Sequence, residues 1–226
     1  RATDTTRQPG STFKILAAYS AALDAGGLTL ASVQDDAPYT YAGANGKSVN
    51  NYDRRYRGFT TLREAITDSI NIVTVKTLAQ VGVSLGWQYV QEYGFTTVDS
   101  RDMNEALALG GITQGVSNLE LTAAYAAIAN QGTYIKPKFY TKILDHDGNV
   151  LIDNTTPESH TVIKDTTAWL LTSAMEDVMT SGTGTSAYFG SSMAQAGKSG
   201  TTTSSRDALF AGYTPYYTCA VWGGYD

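Results

Sequence analysis

The sequence predicts an α+β fold in which a helical lobe, roughly residues 15–190, is followed by a terminal antiparallel sheet, roughly residues 193–226, flanked by helices. Three observations carry that expectation. The middle of the chain holds several helix-period runs with explicit caps. The last third changes to short apolar and aromatic runs punctuated by turn residues. With 226 residues, 42% hydrophobic and 16% charged, the chain can bury one sizeable core, as a single domain or as two lobes around a cleft.

After Pro9-Gly10, the run Ser11 to Leu23 carries apolar residues at Ile15, Tyr19, Ala22 and Leu23 and stops at Gly26-Gly27. This predicts an amphipathic helix closed by glycine, with Ser11 in its first turn. From Leu28 to Phe59 the chain turns to Asp, Gly, Asn and Tyr without period, a long irregular connection of the kind that lines a site or wraps a lobe. Thr61-Leu62-Arg63-Glu64 and Ser117-Asn118-Leu119-Glu120 are capping boxes; the first opens a helix and the second feeds an alanine-rich run to Ala129. Ser69 to Ala79 and Leu85 to Tyr93 read as helices parted by Gly82 and closed by Gly94. Phe139 to Leu144 and Val150 to Ile152 flank Asp145-His146-Asp147-Gly148-Asn149, whose turn chemistry predicts a hairpin. Asp165 to Met179 is helical again and leads into Ser181-Gly182-Thr183-Gly184. Met193 to Lys198, Asp207 to Tyr213 and Tyr216 to Tyr225, with Thr214-Pro215 as a turn, form the expected sheet.

Composition excludes several functions. The net charge of -5 and the absence of any basic stripe leave nucleic acid without an electrostatic footprint. Cys219 stands alone in an apolar run, so neither an intrachain disulfide nor a multi-cysteine metal framework can form. No stretch of 18 apolar residues exists, and the chain opens on polar Arg1-Ala2-Thr3-Asp4, which reads as a piece of something longer.

The candidate chemistry begins at Ser11 and Lys14. A serine and a lysine three residues apart on a helix share a face, the placement a lysine needs to take a proton from a hydroxyl. Chance alone gives about 0.6 Ser-x-x-Lys matches in a chain with 17 Ser and 8 Lys, so context must carry the assignment. A lysine at its ordinary pKa is neutral only about 0.04% of the time at pH 7, so a general base needs a shift of roughly three units, about 4 kcal/mol. Burial of Lys14 facing a second cation, Lys198, would supply both desolvation and like-charge repulsion. The helix N-terminus favours a developing negative charge on Ser11.

Rival readings fall on specific residues. Gly197-Lys198-Ser199-Gly200 suggests a phosphate loop, but Ser192 occupies the position where that motif needs glycine, and Gly200-Thr201-Thr202-Thr203 is a poor helix former. On an edge strand lining a cleft, Lys198, Ser199 and Thr201 would instead offer a cation and two hydroxyls to a carboxylate. Ser69-Ile70-Asn71 competes with Ser48-Val49-Asn50; the capped setting of Ser69 favours it over Ser48 in the irregular stretch. His146 lies in the hairpin turn and His160 in a polar loop, both read as solvated. Asp145-His146-Asp147-Gly148 is not a calcium loop, since its glycine is misplaced and the twelfth position is Thr156. No metal and no cofactor is implied.

Taken in order, Arg7-Gln8-Pro9-Gly10-Ser11-x-x-Lys14, Tyr52-Asp53 to Tyr56-Arg57-Gly58, Leu62-Arg63-Glu64-Ala65, Ser69-Ile70-Asn71, Leu107-Ala108-Leu109-Gly110, Gly182-Thr183-Gly184 and Gly197-Lys198-Ser199-Gly200-Thr201-Thr202 resemble the transpeptidase domain of penicillin-binding proteins. The likeness covers essentially the whole chain and is nearest the bifunctional, class A, high-molecular-mass type. It implies a penicillin-binding protein/serine beta-lactamase-like fold. It also implies that Ser11 is the nucleophile acylated by the D-alanyl-D-alanine stem peptide of peptidoglycan and by beta-lactams. Lys14 would be its base, Ser69 with Lys198 would return the proton to the leaving amine, and Asn71 would hold Lys14 and a substrate amide. Ser199, Gly200, Thr201 and Thr203 would bind substrate, and the N–H groups of Ser11 and Thr201 would form an oxyanion hole. The resemblance further implies the extracytoplasmic face of a bacterial membrane, reached through an anchor on a missing N-terminal part. A D,D-carboxypeptidase or a non-catalytic beta-lactam sensor shares the same motifs.

Departures sharpen the expectation. Ser199 replaces the commoner threonine, and Leu209 stands where the class often has tryptophan, which would change the pocket wall. Neither Glu105 nor Glu120 is followed four residues on by the asparagine of the beta-lactamase deacylating motif, which favours a penicillin target over a penicillin hydrolase. The family carries two strands before the nucleophile helix and a covering helix after the last strand. Their absence between Arg1 and Asp226 implies truncation at both ends, exposed apolar sheet surface and a route to self-association of the fragment.

Overall fold

The computed structural model describes residues 2–42, 46–202 and 206–225. At its centre lies the segment that begins at Ser11. A 3-10 turn (Gly10–Thr12) runs into a π-helix (Ile15–Tyr19) and then α1 (Ser20–Asp24). This helix was expected to be amphipathic, and it is not: residues from Thr12 through Ala22 are all buried. The reason is visible in Phe13-Lys14-Ile15-Leu16-Ala17-Ala18-Tyr19, which is apolar all round apart from Lys14, the pattern of a helix enclosed by others rather than laid on a surface. The π register is fixed where the Ser20 hydroxyl and N–H both donate to the Ile15 carbonyl, and such widened turns recur at functional sites.

Helices α3 (Asn71–Val81) and α4 (Val83–Glu92) pack along it, α5 (Asn118–Ala129) reaches its start through the Tyr125 hydroxyl, which donates to the Thr12 carbonyl, and α2 (Leu62–Thr67) precedes α3. Both expected capping boxes form, Thr61 with Glu64 and Ser117 with Glu120. The helix expected from Ser69 begins at Asn71 instead. Ser69 stands in the turn between α2 and α3 at φ 56, a left-handed conformation uncommon for a residue with a Cβ. The stretch expected to be irregular contains short antiparallel pairs, Val33–Asp36 with Gly58–Thr61 and Tyr39–Thr40 with Ser48–Val49. Pairs of two to four residues are too short to print a period in sequence.

The hairpin forms from Lys142–Leu144 and Val150–Asp153, and α6 (Asp165–Thr180) follows. The terminal sheet is antiparallel, Ala196–Thr201 beside Asp207–Tyr213 beside Thr218–Gly224. Alternation along the middle strand buries Asp207, Leu209, Ala211 and Tyr213, with α5 packed on the strand and the Tyr213 hydroxyl bonded to Thr172 of α6. On the other face Cys219 and Val221 are exposed. One apolar cluster runs from Phe13 and Leu16 through Ile66, Val75, Tyr125 and Leu171 to Ala211, so the sheet and the helices share a core. That common packing brings Lys198, on the sheet edge, against the central helix.

Candidate active site

Lys14 and Lys198 are both fully buried. The Lys14 amine donates to the Ser69 carbonyl at 2.6 Å and to Asn71 Oδ1 at 2.6 Å, and lies 3.1 Å from Ser69 Oγ. The Lys198 amine lies 2.8 Å from the same Ser69 Oγ and donates to the Ser199 carbonyl at 3.0 Å. One hydroxyl therefore joins two amines that are 184 positions apart in the sequence (198 − 14). Neither amine has a carboxylate partner among the described residues.

A buried ammonium without a counter-ion is expensive, and the proton leaves more readily. Burial, reinforced by the Lys198 charge, holds Lys14 well below the usual lysine range. Burial brings Lys198 down to about 7. A neutral amine has two N–H donors and one lone pair. The two carbonyl oxygens at 2.6 Å can only accept, so they take the donors of a neutral Lys14 and leave its lone pair toward the hydroxyl side.

These shifts set the pH dependence of stability. Between the folded value of Lys198, about 7, and the ordinary lysine value, the unfolded chain carries protons on Lys198 and Lys14 that the native chain lacks. Stability therefore rises with pH over that window, by about 1 kcal/mol per pH unit for each of the two amines, and falls again above about pH 10. The reversal comes from Tyr19, Tyr93, Tyr125 and Tyr213, whose hydroxyls burial pushes up, so that they stay protonated in the native state while unfolded tyrosines ionise. Urea midpoints at pH 7, 8.5 and 10 check this. A flat profile that Lys198→Met leaves unchanged would contradict it.

Ser11 is half-buried in the wall of an open cleft of about 990 Å³ that also includes Asn71, Gly110, Thr201 and Thr202. Its hydroxyl has no hydrogen-bonding partner among the described residues. Lys14 is turned toward Ser69 and Asn71, and a resting site of this kind tightens when substrate arrives. The backbone of the Ser11 turn abuts the sheet edge: an atom built at the Cβ position of Gly10 would stand 3.1 Å from the Thr201 carbonyl oxygen and 3.4 Å from its nitrogen. Gly200 packs equally closely on the Pro9 carbonyl and Thr12. Thr201 is exposed at the cleft, and Thr203 lies outside the described residues.

Further placements bear on the sequence reading. The Ser199 hydroxyl donates to Thr183 Oγ1 at 2.7 Å, so the Gly182-Thr183-Gly184 turn, a motif without an assigned role in the sequence, places a hydroxyl beside the strand that carries Lys198. Leu209 does not form the cleft wall. It points under the sheet, with Leu121 and Trp222, into a separate apolar cavity of about 200 Å³. Ser48, the rival of Ser69, lines the cleft without touching either amine, while Asn50 offers its carbonyl to the Asn71 side chain at 2.7 Å. His146 and His160 bond outside the cleft, His146 to Asp147 and His160 to Glu92. Asp145 spends its carboxylate on the turn, accepting from the N–H groups of Asp147 and Asn149.

Comparison with known proteins bears on this arrangement. Residues 1–222 match the family described as the penicillin binding protein transpeptidase domain. The chain belongs to this family. It is 40% identical to penicillin-binding protein 1F of Bacillus subtilis over 97% of its length, and 36% identical to penicillin-binding protein 1A of Clostridium perfringens over 96%. It spans 30% and 33% of those two proteins, about a third of their length. Among solved structures, penicillin-binding protein 1A of Haemophilus influenzae superposes with a TM-score of 0.88 at 27% identity, covering all of this chain and 39% of that one. The PonA1 protein of Mycobacterium tuberculosis, solved with penicillin V, superposes at 0.82 with 25% identity, covering 96% of this chain and 60% of that one. The penicillin-binding protein transpeptidase domain is thus shared in both sequence and fold, and the relatives are of class A. Among the described residues, no helix is long and apolar enough to cross a membrane.

Proposed function

We propose that this domain is a serine D,D-transpeptidase, acylated at Ser11 by the D-alanyl-D-alanine end of a peptidoglycan stem peptide and inactivated by beta-lactams at the same atom. The observation that carries the reading is the Ser69 hydroxyl held within hydrogen-bonding distance of both Lys14 and Lys198. Neutral Lys14 takes the proton of Ser11 as Oγ attacks the carbonyl carbon of the penultimate D-alanine. The oxyanion lies against the N–H groups of Ser11 and Thr201, each such donor being worth roughly 3 kcal/mol. As the carbon–nitrogen bond breaks, the leaving amine takes a proton from Ser69 Oγ, which Lys14 or Lys198 replaces. An acceptor amine from a second stem peptide then displaces Ser11 and closes the cross-link. Lys198, Ser199 and Thr201 take the terminal carboxylate, with Thr183 orienting the Ser199 hydroxyl. Gly200 keeps the strand close to the Ser11 turn.

Stem peptides are met outside the cytoplasmic membrane, so the extracytoplasmic face is the proposed place of action. Intact mass spectrometry after penicillin treatment tests the chemistry. One covalent equivalent is expected on the wild type and none on Ser11→Ala; a wild type without adduct would defeat the proposal. Turnover of a D-alanyl-D-alanine peptide in the presence of an acceptor amine then separates a transpeptidase from a sensor, which acylates and stops, and from a carboxypeptidase, which transfers to water.

A further inference from the structure

The Lys14 amine makes its hydrogen bonds to residues 69 and 71, so whatever fixes the start of α3 fixes the base. That start has no cap of its own. Its N-cap residue is Ile70, whose side chain cannot accept, and the first N–H groups of a helix have no partner within it. Asn51, twenty positions upstream of Asn71, fills the role: its Oδ1 accepts from the N–H of Asn71 at 3.0 Å and of Ile72 at 3.2 Å. The neighbouring Asn50 carbonyl accepts from Asn71 Nδ2. Since a carbonyl can only accept, Asn71 must turn its Oδ1 to Lys14.

Asn51 is itself held in one orientation. Its Nδ2 faces three acceptors, both oxygens of Asp36 at 2.7 and 3.0 Å and the Arg55 carbonyl at 2.8 Å. Asp36 is fully buried, receives the Arg57 N–H at 2.9 Å, and has the Arg57 guanidinium at 3.7 Å. It ends the strand Val33–Asp36, which pairs with Gly58–Thr61, the strand that runs directly into α2 and the Ser69 turn. A buried carboxylate, an amide and a helix start are thereby linked in series to the amine of Lys14.

We propose that Asn51 and Asp36 are positioning residues for acyl transfer, setting the distance of Lys14 from its acceptors through the first turn of α3. The inference rests on the proposed function, and its test separates the two. The measurements are the penicillin acylation rate constant and the non-covalent affinity that precedes it, together with the thermal midpoint. Asn51→Ala is expected to acylate about 100-fold more slowly, the cost of displacing a base by about 1 Å, with non-covalent affinity within about 3-fold of wild type. Asn51→Asp sets two carboxylates against each other and is expected to be as slow. Adding Asp36→Asn to Asn51→Asp restores one carboxylate and one amide with the hydrogen bond reversed: the new carboxylate accepts from α3 and from the amide at position 36, while the bond to the Arg55 carbonyl is lost. With that one bond lost, the double variant is expected to acylate about 10-fold faster than Asn51→Asp without reaching the wild-type rate. A merely structural role predicts no such recovery of rate at equal thermal midpoints. Wild-type acylation by Asn51→Ala, or a double variant no faster than Asn51→Asp, overturns the positioning role. Failure of the wild type itself to acylate overturns the function instead.

Discussion

Lys14→Met is expected to lower the rate of penicillin acylation by about 1,000-fold, within the range a general base contributes, while the domain stays folded. Two effects on stability oppose each other. Methionine fills the same channel with an unbranched apolar chain and removes a buried amine that has no carboxylate partner among the described residues. It also leaves the Ser69 carbonyl and Asn71 Oδ1 without their donor, at about 1–3 kcal/mol for each buried acceptor. Removing an amine whose protonation burial already disfavours acts in the opposite direction. The net change should lie within about 2 kcal/mol of zero. Loss of rate without loss of fold is the signature of a base, whereas a structural lysine would give the reverse. Stopped-flow acylation with a chromogenic beta-lactam and a urea melt on the same sample provide both numbers. A variant acylating within about 10-fold of wild type removes Lys14 from the role of base.

The same residues show what the sequence discloses and what it withholds. Ser11, Lys14, Ser69, Asn71 and Lys198 were legible because each belongs to a short motif whose members are adjacent in sequence, so residue type and spacing carry the information. The capping boxes at Thr61 and Ser117 were legible for the same reason. What escaped depends on contacts between segments. The central helix reads as amphipathic until its neighbours are present, because a run from Phe13 to Ala22 does not reveal that α3, α4 and α6 pack against it. Asn51 looks like a loop polar residue; its bonds to Asp36 and Asn71 span 15 and 20 positions. Thr183 finds Ser199 across 16 positions. The left-handed Ser69 has no sequence signature, since serine rather than glycine occupies it. Leu209 misled because a family pattern suggested a cleft wall, while strand alternation turns it to the opposite side from the one imagined.

Gly110→Ala should disable the site from a distance, and its cause can be isolated. Gly110 closes the helical turn Glu105–Leu109 at φ 74, and an added Cβ would stand 2.5 Å from the Gly10 carbonyl oxygen and 2.7 Å from the Gly10 nitrogen. Both are backbone atoms, so nothing can rotate away, and Gly10 in turn has the Thr201 backbone at its other side. Three chain segments, at 110, 10 and 201, thus stack without side chains, and any atom inserted at 110 must push the peptide that precedes Ser11. The expected costs are a loss of about 2–4 kcal/mol in stability, from left-handed strain plus overpacking, and about 100-fold in acylation from a nucleophile moved by about 1 Å. Gly148→Ala supplies the matched control. It has a similar φ of 85 in the exposed hairpin turn, and its Cβ would meet nothing within 4 Å. That variant should pay only the left-handed strain, about 1 kcal/mol, and acylate at the wild-type rate. If the two variants acylate alike, close approach at Gly110 does not hold Ser11, and the glycine is there for its dihedral angle alone.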